Sequence, residues 1–392
     1  MNKKRKVNWL GNAIWFNLSK FIFKRDPYLW VFGSLDGKKY DDNAKFLFEY
    51  VRNHHSDKVH PVWLAKDGKA LEYVRNSGGE AYCFTSREGK RIARKAGVAI
   101  YTHALADFGN FPQVGGATLV FLGHGVGFKQ TYNSKRQGLD LFLKEQFDKI
   151  FSWIQRDITI ATSVYNKRER MKIAGLKDDS HIFITGQPRN DVLKQHIDRN
   201  KILRDLGIER GKKVVLYMPT YRRPMNGRNT MENIIYRLYE SNEMNKVLNE
   251  GNYVFIAKLH PLTPHIDIPK RDNFIILDFQ AIKDTQEFQA VSDILITDFS
   301  SCCVDYALTG KPVIFYLPDE DWFTHHSEKV SEEFSEISNK NKCSTPDKLA
   351  ALIDNTSLAA TQAINDLFED PSTKGTCYSE NVFRVIMNEI GN

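Results

Sequence analysis

Cysteine is scarce in this chain of 392 residues: there are 5, and only Cys302 and Cys303 are adjacent. Adjacent cysteines rarely bridge each other, and so few make no disulfide scaffold, which predicts a reduced, cytoplasmic chain. Long hydrophobic runs are missing too. No stretch of about 20 uncharged apolar residues occurs and mean hydropathy is −0.44, which excludes a polytopic membrane protein. Charge of one sign is in only mild excess: 55 Lys and Arg against 48 Asp and Glu give a net +7. That balance suits an anionic partner, such as a phosphate-bearing substrate or an acidic membrane surface. Zinc-finger spacing, an aromatic ribonucleoprotein motif and a long basic tail are absent, which argues against nucleic acid. No Asp-x-Asp follows a strand pattern, and the carboxylates of Asp319-Glu320-Asp321 and Lys177-Asp178-Asp179 read as solvated, so neither a metal nor a cofactor is expected. What is present is 42% hydrophobic and 12% aromatic residues, too much for disorder, on a chain long enough for two cored domains.

The first 25 residues form a segment of their own. Lys3 to Lys6 open it, Lys24 and Arg25 close it, and Leu10, Ile14, Phe21 and neighbouring aromatics cover one broad face of a helix. Asparagines interrupt the apolar middle and no small-residue cleavage site follows, so it is neither a secretory signal nor a membrane span. Aromatic bodies with basic flanks suit a membrane interface; an amphipathic helix packed on its own domain is the alternative.

Beyond it, short apolar runs alternate with helical patterns, the signature of a parallel sheet covered on both faces. Strands are predicted at Leu29–Phe32, Val59–Leu64, Val98–Tyr101, Ala117–Leu122, Lys149–Trp153 and His181–Thr185. The pattern restarts with Lys213–Tyr217, Tyr253–Leu259, Phe274–Leu277, Ile294–Thr297 and Val313–Tyr316, with helices at Met231–Glu250 and Ser301–Leu308. Two doubly wound α/β domains are therefore expected, over 26–195 and 196–392, the second with a helical C-terminal end. Ligands of such sheets bind beyond the carboxyl ends of the strands, so two such domains facing each other would make a cleft.

Five motifs follow strand patterns. In Leu122-Gly123-His124-Gly125-Val126-Gly127-Phe128-Lys129, glycines let the backbone approach a ligand, the imidazole could take a proton from a hydroxyl, and Lys129 could meet a phosphate. Gly186-Gln187-Pro188-Arg189-Asn190-Asp191 places a guanidinium at the domain junction. Met218-Pro219-Thr220-Tyr221-Arg222-Arg223 adds a hydroxyl and two guanidiniums. Lys258-Leu259-His260-Pro261 puts two cationic heads on one strand face. Thr297-Asp298-Phe299-Ser300-Ser301 turns from a buried strand into a helix, whose free N–H groups and dipole could hold a phosphate, with Asp305 one turn further on. Each motif also has a structural reading: a glycine turn, a surface ion pair, a basic loop, a core histidine, an N-cap.

In this order and spacing the motifs resemble the CDP-glycerol glycerophosphotransferases, the teichoic acid and capsule enzymes of bacteria. The matching pieces are His124-Gly125 with Lys129, Gly186-x-Pro188-Arg189-x-Asp191, Pro219-Thr220-Tyr221-Arg222, Lys258-Leu259-His260-Pro261, and Asp293 to Asp305 with Lys311-Pro312 and Phe315-Tyr316. The resemblance implies a GT-B architecture: two Rossmann-like domains facing a central cleft. It implies a CDP-alditol donor, glycerol or ribitol, and a lipid-linked or polysaccharide acceptor whose hydroxyl attacks phosphorus and releases CMP. It makes His124 the general base on the acceptor side. It gives His260, Ser300 and Ser301 to the donor diphosphate, Arg189 and Arg222 to supporting charge, and Asp305 to the alditol. Gly125, Lys129, Thr220, Lys258, Thr297 and Asp298 complete the expected binding set, and a peripheral place at the cytoplasmic face of the membrane is expected. Two readings compete: a GT-B glycosyltransferase using a nucleotide sugar, and a non-catalytic phosphoglycan-binding protein. The chain has Gly123 where many relatives carry an aromatic residue, and Phe299 where tyrosine is frequent.

Overall fold

The computed structural model describes residues 15–66, 68–109, 113–128, 157–174, 178–195, 197–222, 230–260, 262–277, 285–326 and 330–391. The described residues fall into two compact units. The first takes those up to His124, those from Asp157 to Asp191 and those from Asp370 onward; the second takes Gly125–Phe128 and those from Val192 to Glu369.

The first unit carries seven strands: β1 (Asp26–Gly33), β2 (His60–Ala65), β3 (Ala81–Cys83), β4 (Ala96–Tyr101), β5 (Thr118–Phe121), β6 (Ile158–Ala161) and β7 (Ile182–Ile184). They pair in the order β3-β2-β1-β4-β5-β6-β7, all parallel. The expected near-continuous apolar strands are there because helices cover both faces. On β1, Trp30 and Phe32 enter a core with Phe48, Trp63, Phe383 and Ile386, while Leu29 and Val31 enter the opposite core with Leu64, Ala99, Phe121 and Phe16. Fully burying each such aromatic contributes about 1.5–3 kcal/mol.

The second unit repeats the plan with β8 (Lys213–Met218), β9 (Tyr253–Lys258), β10 (Phe274–Leu277), β11 (Ile294–Thr297), β12 (Val313–Tyr316) and β13 (Lys342–Cys343). Its parallel order is β10-β9-β8-β11-β12-β13. In both sheets the strand order reverses beside the first strand, at β1/β4 and at β8/β11. Loops leaving adjacent strands in opposite directions open a crevice at their carboxyl ends there.

Several expectations need correction. The second domain does not run to the C-terminus: the helix Tyr378–Gly391 returns to the first unit, where Phe383 packs on Trp30 at 5.5 Å. Asp191 fixes that return, accepting from Tyr378 N at 2.6 Å, Ser379 N at 2.8 Å and Ser379 Oγ at 2.6 Å, and so capping the helix. The stretch Met231–Glu250 is two helices, Thr230–Glu240 and Asn242–Glu250, because Ser241 takes the Met244 N–H and starts the second. The strand expected at Lys149–Trp153 lies outside the described residues; β6 stands at Ile158–Ala161, and β3 was not foreseen.

Of the amino-terminal segment, residues 1–14 lie outside the described residues. Residues 15–22 are helical. One face packs on the first unit: Phe16 is buried, and Ser19 Oγ donates to the Gly115 carbonyl at 3.1 Å. The other leaves Leu18, Phe21 and Ile22 at 50%, 89% and 56% exposure. Among the described residues, no helix is long and apolar enough to cross a membrane.

Candidate functional site

The polar groups singled out from the sequence gather in two clusters, each at the carboxyl end of its own sheet. In the first unit, the loops after β1, β4, β5 and β7 meet. His124 follows β5 through Gly123, whose φ of +70° is a conformation that favours glycine. A Cβ there would also stand 2.6 Å from the Arg170 guanidinium. The positive φ, more than the movable Arg170 head group, disfavours a larger side chain at this position.

The His124 ring is exposed, and it lies flat on the ring of His103, with centroids 4.3 Å apart and planes 7° from parallel. Partial burial among these neighbours, then the adjacent His103, hold its pKa below the ordinary 6.5; Asp42 and a hydrogen bond to the Thr102 backbone work against that, without reversing it. The imidazole is thus neutral near pH 7. The nitrogen facing Thr102 carries the proton, and the other keeps its lone pair, the state a general base requires.

Arg189, expected to supply supporting charge, is held in contacts within the first unit. Its Nη1 donates to Asp42 Oδ1 at 2.8 Å and to the His124 carbonyl at 3.0 Å, in a buried ion pair with side chains 8% and 14% exposed. Its backbone N–H donates to Asn43 Oδ1, and Asn43 Nδ2 donates in turn to the Gly123 carbonyl at 2.9 Å. Arg189 therefore braces the loop that carries His124 and does so within the first unit, with its charge balanced by Asp42. Asp42 holds this position at a φ of +60°, uncommon for a residue with a side chain though less so for aspartate.

In the second unit the loops after β8, β9 and β11 gather. Arg222 is likewise committed. Its Nε and Nη2 donate to the two Asp319 oxygens at 2.8 and 3.0 Å, its Nη1 donates to the Thr220 carbonyl, and Asp298 Oδ2 lies 2.9 Å from Nη2. The guanidinium lies over the ring of Phe323, itself stacked on Phe299. Burial opposes its charge, but Asp298 and Asp319 outweigh that and raise its pKa. Arg222, expected as a supporting cation, is thus a buried tie between loops. Asp298 is buried with it and accepts the Thr220 N–H at 2.8 Å. Thr297 is also turned inward, its hydroxyl donating to the Met218 carbonyl at 2.7 Å, and Asp305 is 3% exposed. These residues shape the loops rather than line an open surface.

Other groups remain accessible. β9 ends at Lys258, so His260 sits two residues past the strand, exposed, with its ring 5.3 Å from that of Tyr221. His260 Nδ1 accepts the Leu262 N–H at 3.2 Å, which leaves the proton on Nε2 and makes the outer edge of the ring a donor. Ser300 and Ser301 are partly exposed at the start of the helix Cys302–Ala307, whose first-turn N–H groups form the positive end of a short dipole. Gly125–Phe128 packs here: a Cβ on Gly127 would stand 2.9 Å from the Ser301 Cβ, and the Phe128 carbonyl accepts the Ser331 N–H at 2.7 Å. Gly125 itself has a φ of +146°. Lys258 is half-buried at the end of β9. Lys129, Arg223 and Pro261 lie outside the described residues.

Two motif residues sit at the opposite ends of the strands. Asp293 precedes β11, where Arg199 Nη2 reaches its Oδ2 at 2.6 Å and Val214 N–H donates to it at 2.7 Å. Lys311 precedes β12 and donates to the carbonyls of Ala290 and Ser292 at 2.7 and 2.6 Å. Sequence reasoning missed His103, Asp42 and Tyr221 as site residues. For His103 a signal existed, since it too follows a strand directly. Among the described residues, no group of three or more His, Cys, Asp or Glu side chains could hold a metal ion.

The family described as CDP-Glycerol:Poly(glycerophosphate) glycerophosphotransferase matches residues 15–371. A teichoic acid poly(glycerol phosphate) polymerase of Bacillus spizizenii is 27% identical over 323 residues, 77% of each protein. A teichoic acid poly(ribitol-phosphate) polymerase of the same species is 29% identical over 211 residues, and a poly(glycerol phosphate) polymerase of Staphylococcus epidermidis is 27% identical over 316. These alignments take in 52% and 75% of this chain but only 33% and 41% of those two relatives. Among solved structures, the wall teichoic acid polymerase TagF aligns at a TM-score of 0.74 with 21% identity, over 99% of this chain and 95% of that one. A histidine-to-asparagine variant of it soaked with CDPG aligns at 0.71 with the same identity and coverage. At that identity the likeness speaks for the fold, two parallel-sheet α/β domains of GT-B type.

Proposed function

The chain belongs to the CDP-glycerol:poly(glycerophosphate) glycerophosphotransferase family, and from that premise we propose that it transfers an alditol phosphate from a CDP-alditol to an acceptor hydroxyl, releasing CMP. Glycerol phosphate is the favoured cargo, and the acceptor is a lipid-linked or glycan chain of a teichoic acid or capsule polymer. The observation that carries the reading is the state of the two histidines. His124 offers a neutral lone pair at the carboxyl ends of the first sheet, and His260 offers an Nε2–H at the carboxyl ends of the second, the same sheet end at which the helix after Ser300 and Ser301 starts.

The proposed steps make use of those protonation states. The diphosphate of the donor lies against Ser300, Ser301 and the first-turn N–H groups, with His260 Nε2–H donating to an oxygen of the leaving CMP. The acceptor hydroxyl gives its proton to His124 as its oxygen bonds to the phosphorus that bears the alditol. The bond from that phosphorus to the bridging oxygen breaks, and CMP departs with the electron pair. Phosphoryl transfer needs chiefly positioning and charge neutralisation, and these groups supply both. The balanced guanidiniums of Arg189 and Arg222 hold the loops in register.

The exposed Leu18, Phe21 and Ile22, with Lys20 and Lys24 beside them, support a peripheral seat on an anionic membrane at the cytoplasmic face, where a lipid-linked acceptor would be met. Purified protein is to be given CDP-glycerol or CDP-ribitol with lipid-linked and capsule-like acceptors, and CMP measured. CMP with an alditol donor is the expected product. A nucleoside diphosphate released from a sugar nucleotide, or ligand binding without any turnover, would contradict it. Replacing Phe21 and Ile22 by serine should reduce sedimentation with anionic vesicles; unchanged sedimentation would reject the membrane seat.

A further inference from the structure

The loop after β4 is held more rigidly than a connecting loop requires. Asp107, fully buried, accepts the N–H groups of Thr102 and His103 on Oδ2 at 3.1 and 3.0 Å, and that of Asp36 on Oδ1 at 2.8 Å. Above this staple runs a chain of polar side chains. His103 Nδ1 lies 2.8 Å from Thr102 Oγ1, Thr102 Oγ1 lies 3.0 Å from Ser34 Oγ, and Ser34 donates to Asp41 Oδ1 at 3.2 Å. One direction of donation satisfies all three contacts: His103 Nδ1–H to Thr102, Thr102 to Ser34, and Ser34 to the Asp41 carboxylate. The His103 ring is therefore fixed at its Nδ1 edge, and the face it presents is the one on which His124 lies at 4.3 Å.

We propose that His103 is a positioning residue for the transfer: it fixes the plane of the His124 imidazole and keeps a second proton off the stacked pair. The inference rests on reading His124 as the base. Two parallel imidazoles at this separation cannot both be cationic without strong repulsion, so a proton on either ring opposes one on the other. The charged groups around the pair are Asp42 and Arg189 at the His124 side, and at the His103 side Asp107, which holds the His103 N–H, and Asp41, reached through Ser34 and Thr102. Asp42 favours a cation on His124, while His103 and Arg189 disfavour it. His103 also sits on the loop whose Thr102 carbonyl receives the proton-bearing nitrogen of His124. One short segment thus sets the base's plane, tautomer and charge.

The test compares His103→Ala and His103→Phe in the full chain, with His124→Ala as reference and thermal unfolding as the folding control. His103→Ala should lower kcat for CMP release by about 10–100-fold, with KM for CDP-glycerol within about twofold, as expected for a misaligned base. His103→Phe restores a ring to stack on, and should recover most of kcat. It should also move the acid limb of kcat/KM to higher pH, because the repulsion from His103 that adds to burial in lowering the His124 pKa is gone. A second measurement is independent of turnover: in histidine NMR titrations, with the His124 signal assigned through His124→Ala, His103→Phe should raise the His124 pKa. If both variants are equally impaired and neither the limb nor the titration moves, His103 is merely structural and the proposal fails; wild-type behaviour in both also overturns it. If His124→Ala retains full CMP release, it is the base reading that falls, and the titration still decides whether His103 acts on its neighbour.

Discussion

The two sheets share a strand order and a way of using charge, but they spend their exposed groups differently. Each buries an arginine–aspartate tie at the carboxyl ends of its strands. In the first unit Arg189 meets one carboxylate, Asp42, and grips the His124 carbonyl. In the second, Arg222 meets two, Asp298 and Asp319, and grips the Thr220 carbonyl. What projects beyond the tie is a neutral proton acceptor in one unit and a set of donors in the other. The most conspicuous cations of the motifs are committed to ion pairs that hold loops, and under the proposed mechanism the chemistry falls to weaker groups beside them.

The sharpest way to break this comparison is to remove the ties. Arg222→Ala leaves the buried Asp298 and the partly buried Asp319 without their partner and should cost about 3–5 kcal/mol of stability in chemical denaturation. Arg189→Ala should cost less, since only one carboxylate is orphaned, and should lower kcat along with stability. If Arg222→Ala were as stable as the wild type and only weakened donor binding, Arg222 would be a ligand group after all.

A smaller effect is expected at His260. Its Nε2–H is assigned one charge-assisted hydrogen bond, so His260→Ala should weaken CDP-glycerol binding by about 1.5–3 kcal/mol, roughly 10- to 150-fold. Isothermal calorimetry would read it, and unaltered affinity would remove His260 from the donor site. The smallest effect belongs to the far ends of the strands. Lys311→Ala gives up two hydrogen bonds to carbonyls and should cost about 1–2 kcal/mol of stability, with kcat and KM unchanged. A change in KM there would mean that the two ends of the sheet are coupled.

Much of this architecture was legible in advance where physics is local. Runs such as Lys213–Met218 and Ile294–Thr297 are apolar because both sheet faces are covered, and Ser300-Ser301 opens a helix as its spacing implied. What was not legible depends on contacts distant in sequence. Nothing near Asp191 reveals that it caps a helix starting at Tyr378, and Ala81–Cys83 is too short to show a period. Arg189 and Arg222 look like oxyanion ligands until the carboxylates that neutralise them, Asp42 and Asp319, are seen beside them. His103 lacks the flanking glycines that draw attention to His124, and only the adjacency of β4 and β5 brings the two rings together.

The central claim is that His124 performs chemistry and does not hold the donor. It is tested most directly by His124→Ala in two assays on one preparation: CMP release from CDP-glycerol with a competent acceptor, and CDP-glycerol affinity by calorimetry. The account predicts a fall in turnover of about 10²–10⁴-fold with affinity within about threefold, and in the wild type an acid limb of kcat/KM below pH 6.5. Turnover that survives the substitution, or affinity lost in step with turnover, would contradict it.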